Sequence, residues 1–409
     1  MTPTGSSTLP VGLFYKVAHM CLIHSFAGRF KHQPEEIGRL STKSADLIRR
    51  SFDDVDSSRL VDYHTHVAGL GTGTNGTFVN PKMRTWRHPS HRAKLKVYLS
   101  AGGVADEGRA DDQMISRLVR LVGNIEGHGK YNLLAFDKNY HRDGSTNLGK
   151  TEFYVPNNYV FDLVAAHPDL FEPVISINPH RLNALKDLAE GAQRGARMVK
   201  WLPNAMGIDP SDERCDPFYA KMRELNLVLL SHGGEEKAVE AEEDQKLGNP
   251  LLLRRALDHG VKVIIAHCAG LGHNPDLDDP NRKLVSNFEL FLRLMGAKKY
   301  EGLLFADISA MTQYNRAGYP LRTILEREDL HERLMNGSDY PLPAINFLIR
   351  TGALEKAGYI STEERGCLNE IYNYNPLLFD FVLKRTLKLP GTTKRLPAKI
   401  FMRNADLAA

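Results

Sequence analysis

Cysteine is scarce in this sequence. Cys21, Cys215, Cys268 and Cys367 are the only four in 409 residues, and no two form a CxxC pair. This argues against both a disulfide framework and a cysteine-based zinc site. A reducing, cytoplasmic setting is the expected one. No sign of charge dominates either. The 53 Lys plus Arg face 49 Asp plus Glu, a net charge of +4, so no basic field calls for a nucleic-acid partner. Long apolar runs are missing too. The stretch that comes closest, "VGLFYKVAHMCLIHSFAG" from Val11 to Gly28, is broken by Lys16, His19 and His24, whereas a membrane span needs about 20 apolar residues with few charges. It reads as an amphipathic helix packed on a main domain. A signal peptide fits less well, because no positive region precedes the run and no small-residue cleavage site follows it. No internal repeat or low-complexity segment is evident. What remains is a composition 42% hydrophobic and 25% charged, that of a soluble globular chain long enough for one large domain with additions or for two domains, and small or neutral partners such as a small-molecule substrate fit it.

From residue 60 onward, short apolar runs alternate with longer helical patterns. The runs are "RLVDYHTHV", "YNLLAFD", "FEPVISIN", "ARMVKWL", "LVLLSHG", "VKVIIAHC", "GLLFADIS" and "RLMNGSD". Helix-like stretches such as "HRLNALKDLAEGAQRG" lie between them, and "LLLRRALDHG" closes on Gly260 as a helix C-terminus does. Eight βα units in rather less than 300 residues predict a (β/α)8 TIM barrel, with a doubly wound open sheet as runner-up. The barrel is expected over 59–380, with a long insertion at about 67–130. Residues 1–58 read as an N-terminal helical extension, and 381–409 as a tail after a C-terminal helical segment.

A barrel of this kind places its chemistry at the C-terminal ends of its strands. Here those ends carry His64 and His66 on strand one, Lys200 on strand four, His232 on strand five, His267 on strand six and Asp339 on strand eight. Residues two apart on a strand share a face, so His64 and His66 are expected to point at the barrel axis, with Tyr63 and Thr65 outward. Singly these signals are weak. With 16 histidines an HxH pair arises by chance about 0.6 times, and a strand-end histidine or aspartate is commonly a satisfied core or turn residue. Their conjunction after separate strands, imidazoles with a carboxylate, points to a divalent metal.

The ordered motifs "VDYHTHVAG", "VKWLPNAMGIDPSD", "LVLLSHGG", "VKVIIAHCAG" and "NGSDYPLP" resemble the amidohydrolase superfamily, in its amidohydrolase-related branch of barrel-type metal-dependent hydrolases and decarboxylases. "ISTEERGCLNEIYNYNPLLF" resembles that branch's closing helical segment. The resemblance implies that His64, His66 and His232 are metal ligands, with Asp339 a ligand or proton carrier. It leaves His267 with two roles: contacting the reacting water or substrate in single-metal relatives, or binding the second ion in two-metal relatives. Lys200 would bridge two ions only if carbamylated. Zinc is the expected metal, with manganese or iron fitting the same ligands, and one ion is favoured over two. The implied reaction is attack of an activated water on an ester, lactone or amide, with Asp339 as proton shuttle and His267 donating to the oxyanion.

Non-oxidative decarboxylation of a small carboxylic acid is the alternative. It needs a cation for the carboxylate, and "NPKMRTWRHPSHRAK" offers Arg84 and Arg87, with His91 and Arg92 beside them. A solvated basic surface is the plainer reading of that run. By analogy with such barrels, a homodimer is the expected assembly.

Overall fold

The computed structural model describes residues 27–28, 30–239 and 241–408. The amphipathic helix expected from Val11 lies, up to residue 26, outside the described residues. Each of the eight apolar runs contains a strand, and together they form one parallel sheet in chain order. The strands are β1 (Val61–His66), β2 (Lys130–Leu134), β3 (Phe171–Ile175), β4 (Met198–Trp201), β5 (Val228–His232), β6 (Val263–Ala266), β7 (Leu304–Asp307) and β8 (Leu334–Met335). The last strand returns to the first. The Tyr63 amide donates to Asn336 O at 3.0 Å, the Asp339 amide to His64 O at 2.7 Å and the His66 amide to Tyr340 O at 3.0 Å. Thr65 also pairs with Tyr340. The sheet therefore closes into a (β/α)8 barrel, and the open-sheet alternative falls away.

The strands are apolar on both faces because both are covered. Val61, Leu134, Val174, Met198, Val228, Ile264, Phe305 and Met335, one from each strand, form a buried interior cluster. The opposite faces, with Leu133, Val199, Leu229, Ile265 and Leu334, pack into the larger core under the helices. Burying each such side chain contributes about 1.5–3 kcal/mol. Gly260 takes φ 76° just past the helix Arg254–Asp258, a left-handed residue at a helix C-terminus.

Strand β1 is irregular. Asp62 pairs with Tyr131 but Thr65 pairs with Leu133, so β1 spends three residues where β2 spends two. This is a β-bulge, which re-aims the side chains beyond it. Tyr63 joins the interior cluster instead of pointing outward. The histidines after the bulge still turn to the axis.

The insertion carries helices Pro89–Ala101 and Ala110–Gly123 around its own small core of Leu70, Val79, Met83, Leu95, Leu99 and Met114. Its first helix reaches the loop after β5, where Tyr98 Oη donates to Ala238 O at 2.9 Å and Lys94 Nζ to Lys237 O at 3.1 Å. At the other end, helix Thr362–Tyr372 starts in a capping box of Ser361 and Glu364 and is followed by helix Pro376–Thr386, which runs through residue 380. The residues after it stay with the barrel. The Asn336 amide donates to Ile400 O at 2.8 Å, Leu60 pairs with Met402, and the Asn404 amide donates to Tyr63 Oη at 3.0 Å. This segment closes the N-terminal mouth. Among the described residues no helix is long and apolar enough to cross a membrane.

Candidate metal centre

The closed barrel brings the strand ends together. His64 Nε2 lies 3.2 Å from His66 Nε2 and 3.5 Å from Asp339 Oδ1, which is 3.2 Å from His66 Nε2. Lys200 Nζ stands 3.2 Å from His64 Nε2. Among the described residues, two groups have the mutual spacing that could hold an ion: His64, His66 and Asp339, and His64, His267 and Asp307. Both sets use His64.

The hydrogen bonds around them decide which nitrogens are free. His64 Nδ1 lies 2.9 Å from Asp307 Oδ2, and a carboxylate there fixes the imidazole with hydrogen on Nδ1 and a lone pair on Nε2. That lone pair points into the first set. Ser309 Oγ donates to Asp307 Oδ1 and so has only acceptor capacity left for His267 Nδ1, 2.8 Å away. His267 then carries its hydrogen on Nδ1, and its Nε2 faces Asp339 Oδ2 at 3.8 Å as a lone pair. This tautomer does not suit the oxyanion-donor role expected of His267. It suits a ligand or a base.

His232 is packed edge-on against His267, with ring centroids 5.2 Å apart. Its Nδ1 lies 3.5 Å from Glu236 Oε2, while its Nε2 is buried with no hydrogen-bond partner. His232 belongs to neither of the two sets, but an orphaned imidazole nitrogen on a ring packed against His267 fits a divalent ion of borderline softness.

The electrostatics run the same way. Burial drives His232 well below its ordinary pKa and His267 down to about 3, and lowers His66 as well; metal binding requires neutral imidazoles of this kind. Burial opposes ionisation of Asp339, but the surrounding His267, His64 and His66 hold its carboxyl well below the usual range. Burial also pulls Lys200 down to about 8, against the pull of Asp307, Asp339 and Glu236.

The backbone is strained at the same strand ends. His267, Cys268 and Ala269 take φ 55°, 49° and 49°, and Asp339 takes 58°. Each non-glycine residue held there costs about 1–3 kcal/mol. Two clamps hold it: Asp307 Oδ1 accepts the His267 amide at 3.0 Å, and His64 O accepts the Asp339 amide.

Asp307, Ser309 and Glu236 were not among the expected site residues. Asp307 had a legible signal, since it ends "GLLFAD" as His232 ends "LVLLSH". Arg84 and Arg87 are not brought to the centre. Both are exposed on the insertion, where Arg92 donates to Arg84 O at 2.6 Å and stacks 4.3 Å over Trp86. A cavity of about 290 Å³ lies on the C-terminal face, lined by Asn139, Asn204 and Asp244 from the loops after β2, β4 and β5 and by Asn80 and His91 of the insertion. The ligand side chains do not line it. The Tyr98 phenol is pushed up by burial and by Glu236, Glu152 and Asp339.

A family model described as amidohydrolase matches residues 139–345, a span that includes Lys200, His232, His267, Asp307 and Asp339 and leaves out His64 and His66. No curated protein matches. Among solved structures, an uncharacterised TIM-barrel protein from Bordetella bronchiseptica is 18% identical over 73% of this chain and 94% of that chain, at TM-score 0.45. A 5-carboxyvanillate decarboxylase from Sphingomonas paucimobilis is 13% identical over 71% and 92%, at 0.38. The IDCase of Metarhizium anisopliae is 15% identical over 75% and 94%, at 0.41.

Proposed function

Because the chain belongs to the amidohydrolase family, we propose that it is a metal-dependent hydrolase of an ester, lactone or amide bond in a small molecule. The observation that supports this most is the convergence of His64 Nε2, His66 Nε2 and Asp339 Oδ1 within 3.5 Å of one another. These three, with the orphaned His232 Nε2, would hold the ion. One ion is favoured, because the second candidate set needs the same His64 ring and Nδ1 of that ring is engaged by Asp307. Zinc is the first choice for such a nitrogen-rich set, with manganese and iron next. When bound, a divalent ion supplies Lewis acidity, making water acidic enough to attack at neutral pH and polarising the bond under attack.

The chain's own residues do the rest. Asp339, ionised and facing His267, accepts the proton of the attacking water and returns it to the leaving group. Asp307 orients His64 through Nδ1. Ser309 orients His267, whose Nε2 lone pair is placed to share the proton with Asp339. Lys200, a buried amine beside His64, supplies positive charge near the developing oxyanion; as a carbamate it would bridge two ions instead. Decarboxylation remains the second reading on this scaffold, and it would need a cation other than the exposed Arg84 and Arg87.

The test is product analysis. Metal-reconstituted protein is offered esters, lactones, amides and aryl carboxylic acids, with Asp339→Asn as control. Hydrolysis lost in the variant is expected. Release of carbon dioxide without hydrolysis, or hydrolysis that survives the substitution, would overturn the assignment.

A further inference from the structure

Arg316 lies in the loop after β7 and is 7% exposed. Its guanidinium makes one hydrogen bond, from Nη1 to Gln313 Oε1 at 3.1 Å. Nε is buried without a partner, and among the described residues neither Nη2 nor Nε reaches an acceptor and no carboxylate comes within ion-pair distance. A buried arginine without a paired anion is unusual, since desolvating the charge is costly unless hydrogen bonds and a counter-charge offset it. The unengaged Nε–Nη2 edge has the geometry that takes a carboxylate through two parallel N–H···O bonds.

Its position is that of the site. The side chain packs beside Gly270, three residues after His267. Its charge is coupled to Asp339, Glu236, Asp307 and Glu235, and it acts in turn on His232 and His267. Gln313 holds the guanidinium from the side away from the free edge. The carboxylates nearby balance its charge from a distance and would disfavour a doubly charged phosphate, so a monoanionic carboxylate is the better partner.

We propose that Arg316 binds a carboxylate of the substrate, so that the substrate class is a small carboxylic acid whose reacting bond lies at Asp339 while its carboxylate lies on the Nε–Nη2 edge. This assignment rests on the metal-site reading for the position of the reacting bond. It replaces Arg84 and Arg87 as the anchor.

The experiment compares matched probes on the full chain, metal-free and zinc-loaded. Formate, acetate and benzoate are titrated against formamide, acetamide, benzamide and inorganic phosphate, with calorimetry and thermal unfolding as readouts. For the wild type, at least one carboxylate should bind about tenfold or more tighter than its amide and than phosphate. Arg316→Met should remove that preference with Tm unchanged or raised, because a guanidinium placed for a ligand is a liability to the ligand-free fold. Arg316→Lys keeps the charge without the two-bond edge and should lose most of the preference while staying folded. Three results would overturn the proposal: no carboxylate preference in the wild type, a preference that persists in Arg316→Met, or failure of both variants to fold, which would make Arg316 a structural counter-ion. Zinc content is read in parallel. A wild type that prefers carboxylates but takes up no metal would sink the hydrolase reading and leave the anchor standing.

Discussion

Two sets of buried charge sit close together on this barrel, and they are built on opposite terms. At the seam of β1 and β8, Lys384 Nζ donates to Asp380 Oδ2 at 2.5 Å and to Gly337 O at 2.6 Å. Asp62 accepts the His64 amide at 2.9 Å and the Ser338 amide at 3.0 Å. Every charge there has a partner. At the C-terminal mouth, His232 Nε2 and Arg316 Nε are buried with none, and the backbone of His267 through Ala269 and of Asp339 is held left-handed. Folding alone tolerates the first arrangement, whose charges are partnered, and penalises the second. The difference separates a structural brace from a site prepared for ligands.

Substitutions should split the two sets cleanly. The largest effect expected is on catalysis: Asp339→Asn should reduce turnover about 10²–10⁴-fold, with Tm little changed, as steady-state rates and thermal unfolding would show. Lys384→Met should behave in the opposite way, costing about 3–5 kcal/mol of stability by stranding Asp380 while metal affinity stays within a few fold. Denaturant unfolding checks this, and adding Asp380→Asn should recover much of the loss. If Lys384→Met instead abolished metal binding at constant stability, the contrast between brace and site would collapse.

Smaller effects sharpen the boundary. Asp307→Asn should weaken metal binding about 10–100-fold, because it loosens the orientation of His64 without removing a ligand nitrogen; competition with a chelator measures it. The brace has a pH signature of its own. Burial pushes the Asp380 carboxyl up to about 6, with Lys384 offsetting part of the shift. A carboxyl whose pKa is raised on folding binds its proton more tightly in the folded state. Its contribution is therefore present below the ordinary carboxylate value of about 3.9 and is lost as pH rises through about 6, an effect of roughly 3 kcal/mol. Asp380→Asn should flatten that part of the stability profile. A slope unchanged in the variant would assign it to other groups.

The strands and most of the mouth were legible in the sequence for one physical reason: a barrel strand is a short apolar run, and a polar residue at its C-terminal end stands out against it. His64, His66, Lys200, His232, His267 and Asp339 all carry that mark. Asp307 carries it too, yet a lone aspartate after "GLLFA" has a routine reading as a turn residue. Arg316, Ser309 and Glu236 lie on loops that have no period, so only the closed barrel reveals what they face. The inward turn of Tyr63 depends on a bulge, which is a property of the pairing with β2 rather than of β1 itself. The basic run around Arg84 shows the converse, since a charge cluster visible in sequence leaves Arg84 and Arg87 exposed. Within the segment that reads as a tail, Ile400 to Asn404 instead close the N-terminal mouth through single bonds that no pattern announces.

The measurement that bears most directly on the account is metal content per chain, by elemental analysis of protein purified without added metal and again after chelation and reconstitution. The account predicts about one tightly held transition metal in the wild type, and none in a His64→Ala, His66→Ala double variant that remains folded. A wild type that takes up no divalent ion after reconstitution, or a double variant that keeps its metal, would contradict it.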